Sequence, residues 1–307
     1  MKSLTFGLFC FFVCLFLFSK PTFDESKKLE KNCDVVVFSY DRPMQLWAFL
    51  ESAKKLHSVG EIIVIYRSSN QNFQNAYQKV VSNFPKINLK KQINAPGDFK
   101  KLTMDATFNS PSKFICFAVD DIVVKKEVDF NDCIEALNAT GAFGFFLRLG
   151  KNINYCFMLK KPTPSPSLEE SLPGVFEWHS DKGSGDWAYP NNVDMTVYRK
   201  RDIFQFFNKI NFNNPTELES NWHNGFKNSK KCLCFEESKI LNLTVNVSPG
   251  TPNAWQFSKE WNKKCSEYST QALLEKFNSG FRLDIEALKK INNNSPHVNL
   301  EPKLKQI

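Results

Sequence analysis

Two adjacent carboxylates, Asp120 and Asp121, follow directly on the apolar run Lys113-Phe-Ile-Cys-Phe-Ala-Val119. A hard divalent cation takes carboxylate oxygens and keeps other positions for phosphate oxygens. An acidic pair at the end of a buried strand can therefore anchor a metal and a diphosphate, one acid reaching the metal and the other a ribose or sugar hydroxyl. The competing reading is a solvated turn after a strand. A second constellation is Gly183-Ser-Gly-Asp-Trp187. Such a glycine-rich loop can close over a ligand, with Asp186 orienting or deprotonating a hydroxyl and Trp187 stacking on a sugar face; a plain turn is the alternative.

These residues need elements to hold them. The β-branched run 34–38 reads as a fully buried strand ending in Ser39-Tyr40-Asp41-Arg42-Pro43, and 44–57 has helical apolar spacing. A strand at 61–66, a loop at 67–71, a helix at 72–83, a strand at 87–92, a helix at 98–109 and a strand at 113–119 follow. This alternation predicts βαβ units in a mainly parallel sheet with both faces covered. In such open sheets ligands sit beyond the carboxyl ends of the strands, where both Tyr40-Asp41-Arg42 and Asp120-Asp121 fall. The second half is less regular: a helix at 130–138, strands at 142–149, 155–159, 174–179 and 193–198, a loop at 161–173 and a helix at 200–208. A helical pattern at 271–291, interrupted at Gly280, closes the chain.

The 307 residues, 42% hydrophobic and 23% charged, fit one large α/β domain or two small ones. The net charge of +8 comes from lysines scattered among carboxylates. It would concentrate anionic ligands, but without an aromatic-basic recognition motif nucleic acid is not expected as a partner. Residues 4–18 form an uncharged apolar block followed by Ser19-Lys20-Pro21, with no small-x-small cleavage site. The block reads as an uncleaved membrane anchor, with a cleaved signal as the alternative. Lys20, Lys27, Lys28 and Lys31 favour a cytoplasmic domain; a secreted or lumenal one follows if the segment is cleaved or inverted. Nine cysteines show no disulfide framework, and Cys232-Leu-Cys234 lacks a second pair at zinc spacing.

The order of these parts resembles the GT-A glycosyltransferases, particularly family-2-like and exostosin-like members. Ser39-Tyr40-Asp41-Arg42-Pro43 resembles their nucleotide-contacting turn after the first strand, and Phe117-Ala-Val-Asp-Asp-Ile122 their acidic metal motif, with Val119 where the triple form has its first acid. The resemblance implies an α/β, Rossmann-like GT-A fold with a mixed second half. The expected division is an anchor segment at 1–19, a linker at 20–32, a nucleotide-sugar half at 33–128, an acceptor half at 129–295 and a tail at 296–307. Ser39, Tyr40, Asp41, Arg42, Arg67, Lys100 and Asp120 are the implied donor contacts. Asp121, preferred by position, with Asp120 and His297, would hold Mn2+ or Mg2+. Asp186, Glu217 and Glu219 are the candidates for the base, Thr216 is a possible helix cap, and Trp187 is the acceptor contact. The implied activity is metal-dependent transfer of a sugar from a nucleoside-diphosphate sugar to a glycan or lipid-linked acceptor hydroxyl, inverting or retaining. The rivals are a membrane-tethered, non-catalytic binding protein on this fold and a nucleotidyltransferase, though no glycine-rich phosphate loop follows the first strand.

Overall fold

The computed structural model describes residues 32–225, 228–246 and 266–307. The nine main-sheet strands are β1 (Cys33–Tyr40), β2 (Val59–Arg67), β3 (Asn88–Lys91), β4 (Phe114–Val119), β5 (Gly144–Phe146), β6 (Glu169–Leu172), β7 (Val175–His179), β8 (Thr196–Arg199) and β9 (Lys231–Phe235). The spatial order is β6-β7-β9-β5-β8-β4-β1-β2-β3. β4, β1, β2 and β3 are all mutually parallel, as the βαβ alternation requires. β8 then runs antiparallel to both β4 and β5, so the second half is mixed. This is the expected α/β architecture.

The apolar run of β1 is long because the strand is covered twice. Val35 and Val37 join a core with helices α1 (Pro43–Ser52), α2 (Gln71–Asn83) and α4 (Phe130–Thr140), whereas Val36 and Phe38 face the other core. That second core packs α3 (Phe99–Phe108), α5 (Lys200–Lys209) and α6 (Pro215–Gly225). Local signals set the helix starts: α1 opens on Pro43, whose missing N–H costs nothing in a first turn. The Asn70 side chain caps α2 by accepting from the backbone N–H groups of Asn72 and Phe73.

Three boundaries differ from expectation. The helix at 44–57 stops at Ser52, and a 3-10 turn leads to a two-residue strand at Leu56–His57. The proline-rich 161–173 stretch contributes edge strand β6. At Gly280 the φ of +89° breaks the helical pattern into α7 (Thr270–Asn278), a strand at Phe281–Leu283 and α8 (Ile285–Lys289).

The apolar block 4–18 lies outside the described residues. Among the described residues no helix is long and apolar enough to cross a membrane. The expectation of membrane association through an anchor is corrected accordingly.

Candidate functional site

The acidic pair lies where β4 ends, beside the end of β1. Asp120 is 2% exposed, and its carboxylate is saturated from within: Ser39 Oγ donates to Oδ2 (2.8 Å) and Arg42 Nη1 to Oδ1 (3.2 Å). Ser39 Oγ also shares a 2.6 Å hydrogen bond with Tyr77 Oη, which accepts from the Arg42 backbone N–H (3.1 Å). Arg42 Nη1 reaches on to Asp121 Oδ2 (3.4 Å), and Nη2 donates to the Asn246 carbonyl (2.7 Å). One buried guanidinium is therefore shared by two carboxylates. Burial nevertheless raises both carboxyls above their ordinary range, more than Arg42 lowers them, because desolvation of a charge is costly. Asp121 differs from its neighbour in one respect: its Oδ1 is buried and has no hydrogen-bond partner.

A small three-stranded sheet closes over this point. Ile122–Val124 pairs antiparallel with Ile240–Leu243, which pairs in parallel with His297–Val298. The pairing ties the Leu243 N–H to the Asp121 carbonyl (2.8 Å) and brings His297 to the acidic pair from 176 positions away in the sequence. His297 Nε2 lies 3.7 Å from Asp194 Oδ2, while Asp194 Oδ1 accepts from Asn242 Nδ2 (3.0 Å). Asp194 and His297 are both close enough to act on the charge of Asp121. Backbone strain marks the same region: Asp41 (φ +52°) and Met195 (φ +53°) are non-glycine residues in the left-handed region. Such a conformation costs about 1–3 kcal/mol and persists where the surroundings over-determine it. Met195 is held by its N–H to the Phe117 carbonyl (2.8 Å) and by the Leu147 N–H on its own carbonyl (3.1 Å), which fixes the approach of Asp194.

A second charged cluster lies on the other side of β8. Arg148 is 1% exposed; Nη1 donates to Asp186 Oδ1 (2.7 Å), and Nη2 to the carbonyls of Asp186 (3.2 Å) and Tyr189 (3.0 Å). Asp194 and Glu219 also act on its charge. Glu219 Oε1 accepts from the Val193 N–H (3.2 Å). Burial first, and Asp194 second, push the Glu219 carboxyl up to about 8. One guanidinium here faces three carboxylates.

The remaining candidates are less exposed to a ligand than their sequence context implies. Asp41 is buried, accepting from the Ser69 N–H (2.9 Å), so it joins the β1 and β2 end loops. Tyr40 carries the Arg67 guanidinium over its ring at 4.5 Å. Lys100 is turned to the C-terminus of α5, donating to the Ile210 carbonyl (2.7 Å), where a cation meets the negative end of the helix dipole. Trp187 is fully buried, packed edge-on to Trp178 (5.0 Å) with its indole N–H on the Ile153 carbonyl (3.2 Å); it is a core ring, not an acceptor platform. Glu217 accepts from the Asn213 N–H (2.9 Å), and Asn214, not Thr216, returns the contact by accepting from the Glu217 N–H (2.9 Å). That reciprocal arrangement is a capping box, which occupies Glu217.

Tyr77, Arg148, Asp194 and Asn246 were not among the expected site residues. Arg148 had a readable signal, a lone arginine in the otherwise uncharged run Ala142–Leu149, since arginine is almost never fully buried without a partner. The others have none, because their roles come from long-range pairing.

No family model matches the chain. Over 251 residues it is 28% identical to the bifunctional glycosyltransferase pgtA of Dictyostelium discoideum, a match covering 71% of this chain and 32% of that protein. The chain thus spans about a third of its relative's length. Among solved structures, Staphylococcus aureus TarS 1-349 in complex with UDP covers 68% of this chain and 59% of its own, at 16% identity and a TM-score of 0.46. A mannosyltransferase of Pyrobaculum calidifontis, PcManGT, in complex with GDP-Man and Mn2+, covers 57% of this chain and 46% of its own, at 8% identity and a TM-score of 0.34. In its motifs and its sequence relative, this chain resembles the glycosyltransferases.

Proposed function

We propose that this chain is a glycosyltransferase domain that moves a sugar from a nucleoside-diphosphate sugar to an acceptor hydroxyl with the help of a divalent cation. The observation that carries the reading is the division of labour in the acidic pair. Asp120 is fully engaged by Ser39 and Arg42, whereas Asp121 keeps a buried, unpartnered oxygen beside Asp194 and His297.

The residues fit a hard divalent cation. Among the described residues no cluster of three or more His, Cys, Asp or Glu side chains is assembled to hold a metal. That suits Mg2+ or Mn2+, which use one or two carboxylates plus substrate phosphates in place of an all-protein cage. Asp121 would be the principal protein ligand, with His297 and Asp194 beside it. When bound, the metal supplies Lewis-acid neutralisation of charge on the departing diphosphate. The chain's own part is positioning: Arg42 and Ser39 fix Asp120, and Tyr40 with Arg67 forms a stacked rim beside it that suits a nucleotide base.

For the acceptor proton we favour Glu219. Glu217 is engaged with Asn213 and Asn214 at the start of α6, and Asp186 has Oδ1 on Arg148 and Oδ2 unpartnered, whereas Glu219 has one oxygen on the Val193 N–H and a carboxyl tuned upward. A base with its affinity near the working pH transfers protons efficiently. Attack assisted by a carboxylate opposite the leaving group inverts the sugar carbon. The test is release of nucleoside diphosphate from a panel of sugar nucleotides by the purified full chain, with and without Mn2+ or Mg2+. Metal-stimulated release from one donor is expected. Absence of release, and of donor binding, across the panel would refute the reading.

A further inference from the structure

The loop that Arg148 clamps has a second face. Arg148 holds the carbonyls of Asp186 and Tyr189 from within, and on the other side a half-open cavity of about 220 Å³ lies against Ser180, Asp181, Gly183, Ala188, Pro190 and His223. We infer that this cavity is the acceptor subsite and that it takes a single neutral sugar ring, an inference that rests on the glycosyltransferase reading above.

Three features of the cavity select that ligand class. Its volume is below the roughly 300–1,000 Å³ of pockets for drug-sized ligands, which suits one ring and excludes an extended peptide or a dinucleotide. Its lining is mixed: Ser180, Asp181, which already accepts from Ser229 and lies 3.9 Å from Lys182, and His223 offer polar groups to hydroxyls, and Ala188 and Pro190 offer a C–H face. Among the described residues no lysine or arginine is part of its lining, where the one charged group is the Asp181 carboxylate.

The wall is preorganised. His223 stacks on Tyr189 with ring centroids 3.9 Å apart and planes inclined by 27°, which fixes the imidazole in one orientation. Gly183 is required by the loop itself, since a Cβ there would come within 2.6 Å of the Trp187 Cβ and 2.7 Å of its backbone. His223 also ties the cavity to the proposed base, since it lies one turn beyond Glu219 on α6, at the i+4 position. A ring seated against His223 therefore lies one helical turn from Glu219.

The inference is tested in two arms on the full chain. Saturation-transfer NMR with a panel of methyl pyranosides, without donor, reads binding directly; at least one neutral pyranoside is expected to bind, and His223→Ala and Asp181→Asn are each expected to weaken it at least tenfold. In the second arm, both variants are expected to raise the acceptor KM at least tenfold while leaving nucleoside diphosphate release without acceptor within twofold. Asp181 is exposed, so Asp181→Asn keeps the test open if His223→Ala fails to fold. Binding unaffected by either variant, or binding of phosphorylated sugars in preference to neutral ones, would overturn the inference. Loss of donor release in the wild-type chain would instead strike the glycosyltransferase reading, and the NMR arm would still decide the subsite.

Discussion

Two of the buried arginines, Arg42 and Arg148, each face more carboxylate than one guanidinium balances, and they differ in what is left over. Arg42 pairs with Asp120 and Asp121 and is anchored on the Asn246 carbonyl, while Arg148 is surrounded by Asp186, Asp194 and Glu219. The first group is a closed network with one oxygen left over, at Asp121 Oδ1. In the second, burial first and Asp194 second raise the Glu219 carboxyl to about 8, higher than the Asp120 carboxyl at about 6. On the proposed function, the first group would hold a cation and the second a proton.

The largest expected effect breaks the second group. Arg148→Ala leaves Asp186 buried without its partner and releases the Tyr189 carbonyl, and removing one member of a buried pair costs about 3–5 kcal/mol. Denaturant unfolding should show that loss, with Arg148→Lys recovering only part of it because a lysine cannot serve two carbonyls and a carboxylate from one plane. Trp187→Ala should cost a similar ~3–5 kcal/mol, as a fully buried indole, yet leave the acceptor KM unchanged in any variant that stays folded.

The Glu219 proton gives a smaller effect with a defined sign. Its carboxyl is raised in the fold, so the proton is bound more tightly there than in the unfolded chain. That contribution is complete at low pH and is lost as pH rises from the ordinary carboxylate range through about 8. Turnover should climb over the same interval and level off above about pH 8, as Glu219 becomes able to accept a proton. Glu219→Gln should abolish the climb and flatten the stability loss, read from kcat–pH and Tm–pH profiles. The smallest effect is expected at Asn214→Ala, which removes the α6 N-cap, worth about 0.5–2 kcal/mol, and leaves turnover intact.

The same contrast explains what was legible in the sequence. The acid pair and the Ser39–Arg42 turn sit at the ends of two adjacent parallel strands, and strand, turn and helix periodicity put them there from local pattern alone. Continuous apolar runs at 34–38 and 114–119 could only be strands covered on both faces. The Arg148 group draws on residues 148, 186, 194 and 219, brought together by antiparallel β8 and by a loop held at its glycines, and no local period encodes such pairings. Trp187 illustrates the limit. Ring plus carboxylate in a glycine-rich loop suggested a sugar platform, but the tight turn at Gly183 and Gly185 folds the indole inward and leaves the next ring, Tyr189, stacked on His223.

The account turns on Asp121 holding the cation while Asp120 holds the scaffold. Isothermal titration of the full chain with a sugar nucleotide that binds the wild type, at fixed Mn2+, should therefore separate Asp121→Asn from Asp120→Asn. The account expects Asp121→Asn to lose donor affinity at least tenfold with Tm unchanged, and Asp120→Asn to lower Tm by weakening the Ser39–Arg42 network. Donor binding by Asp121→Asn that matches the wild type and keeps its dependence on Mn2+ would contradict it.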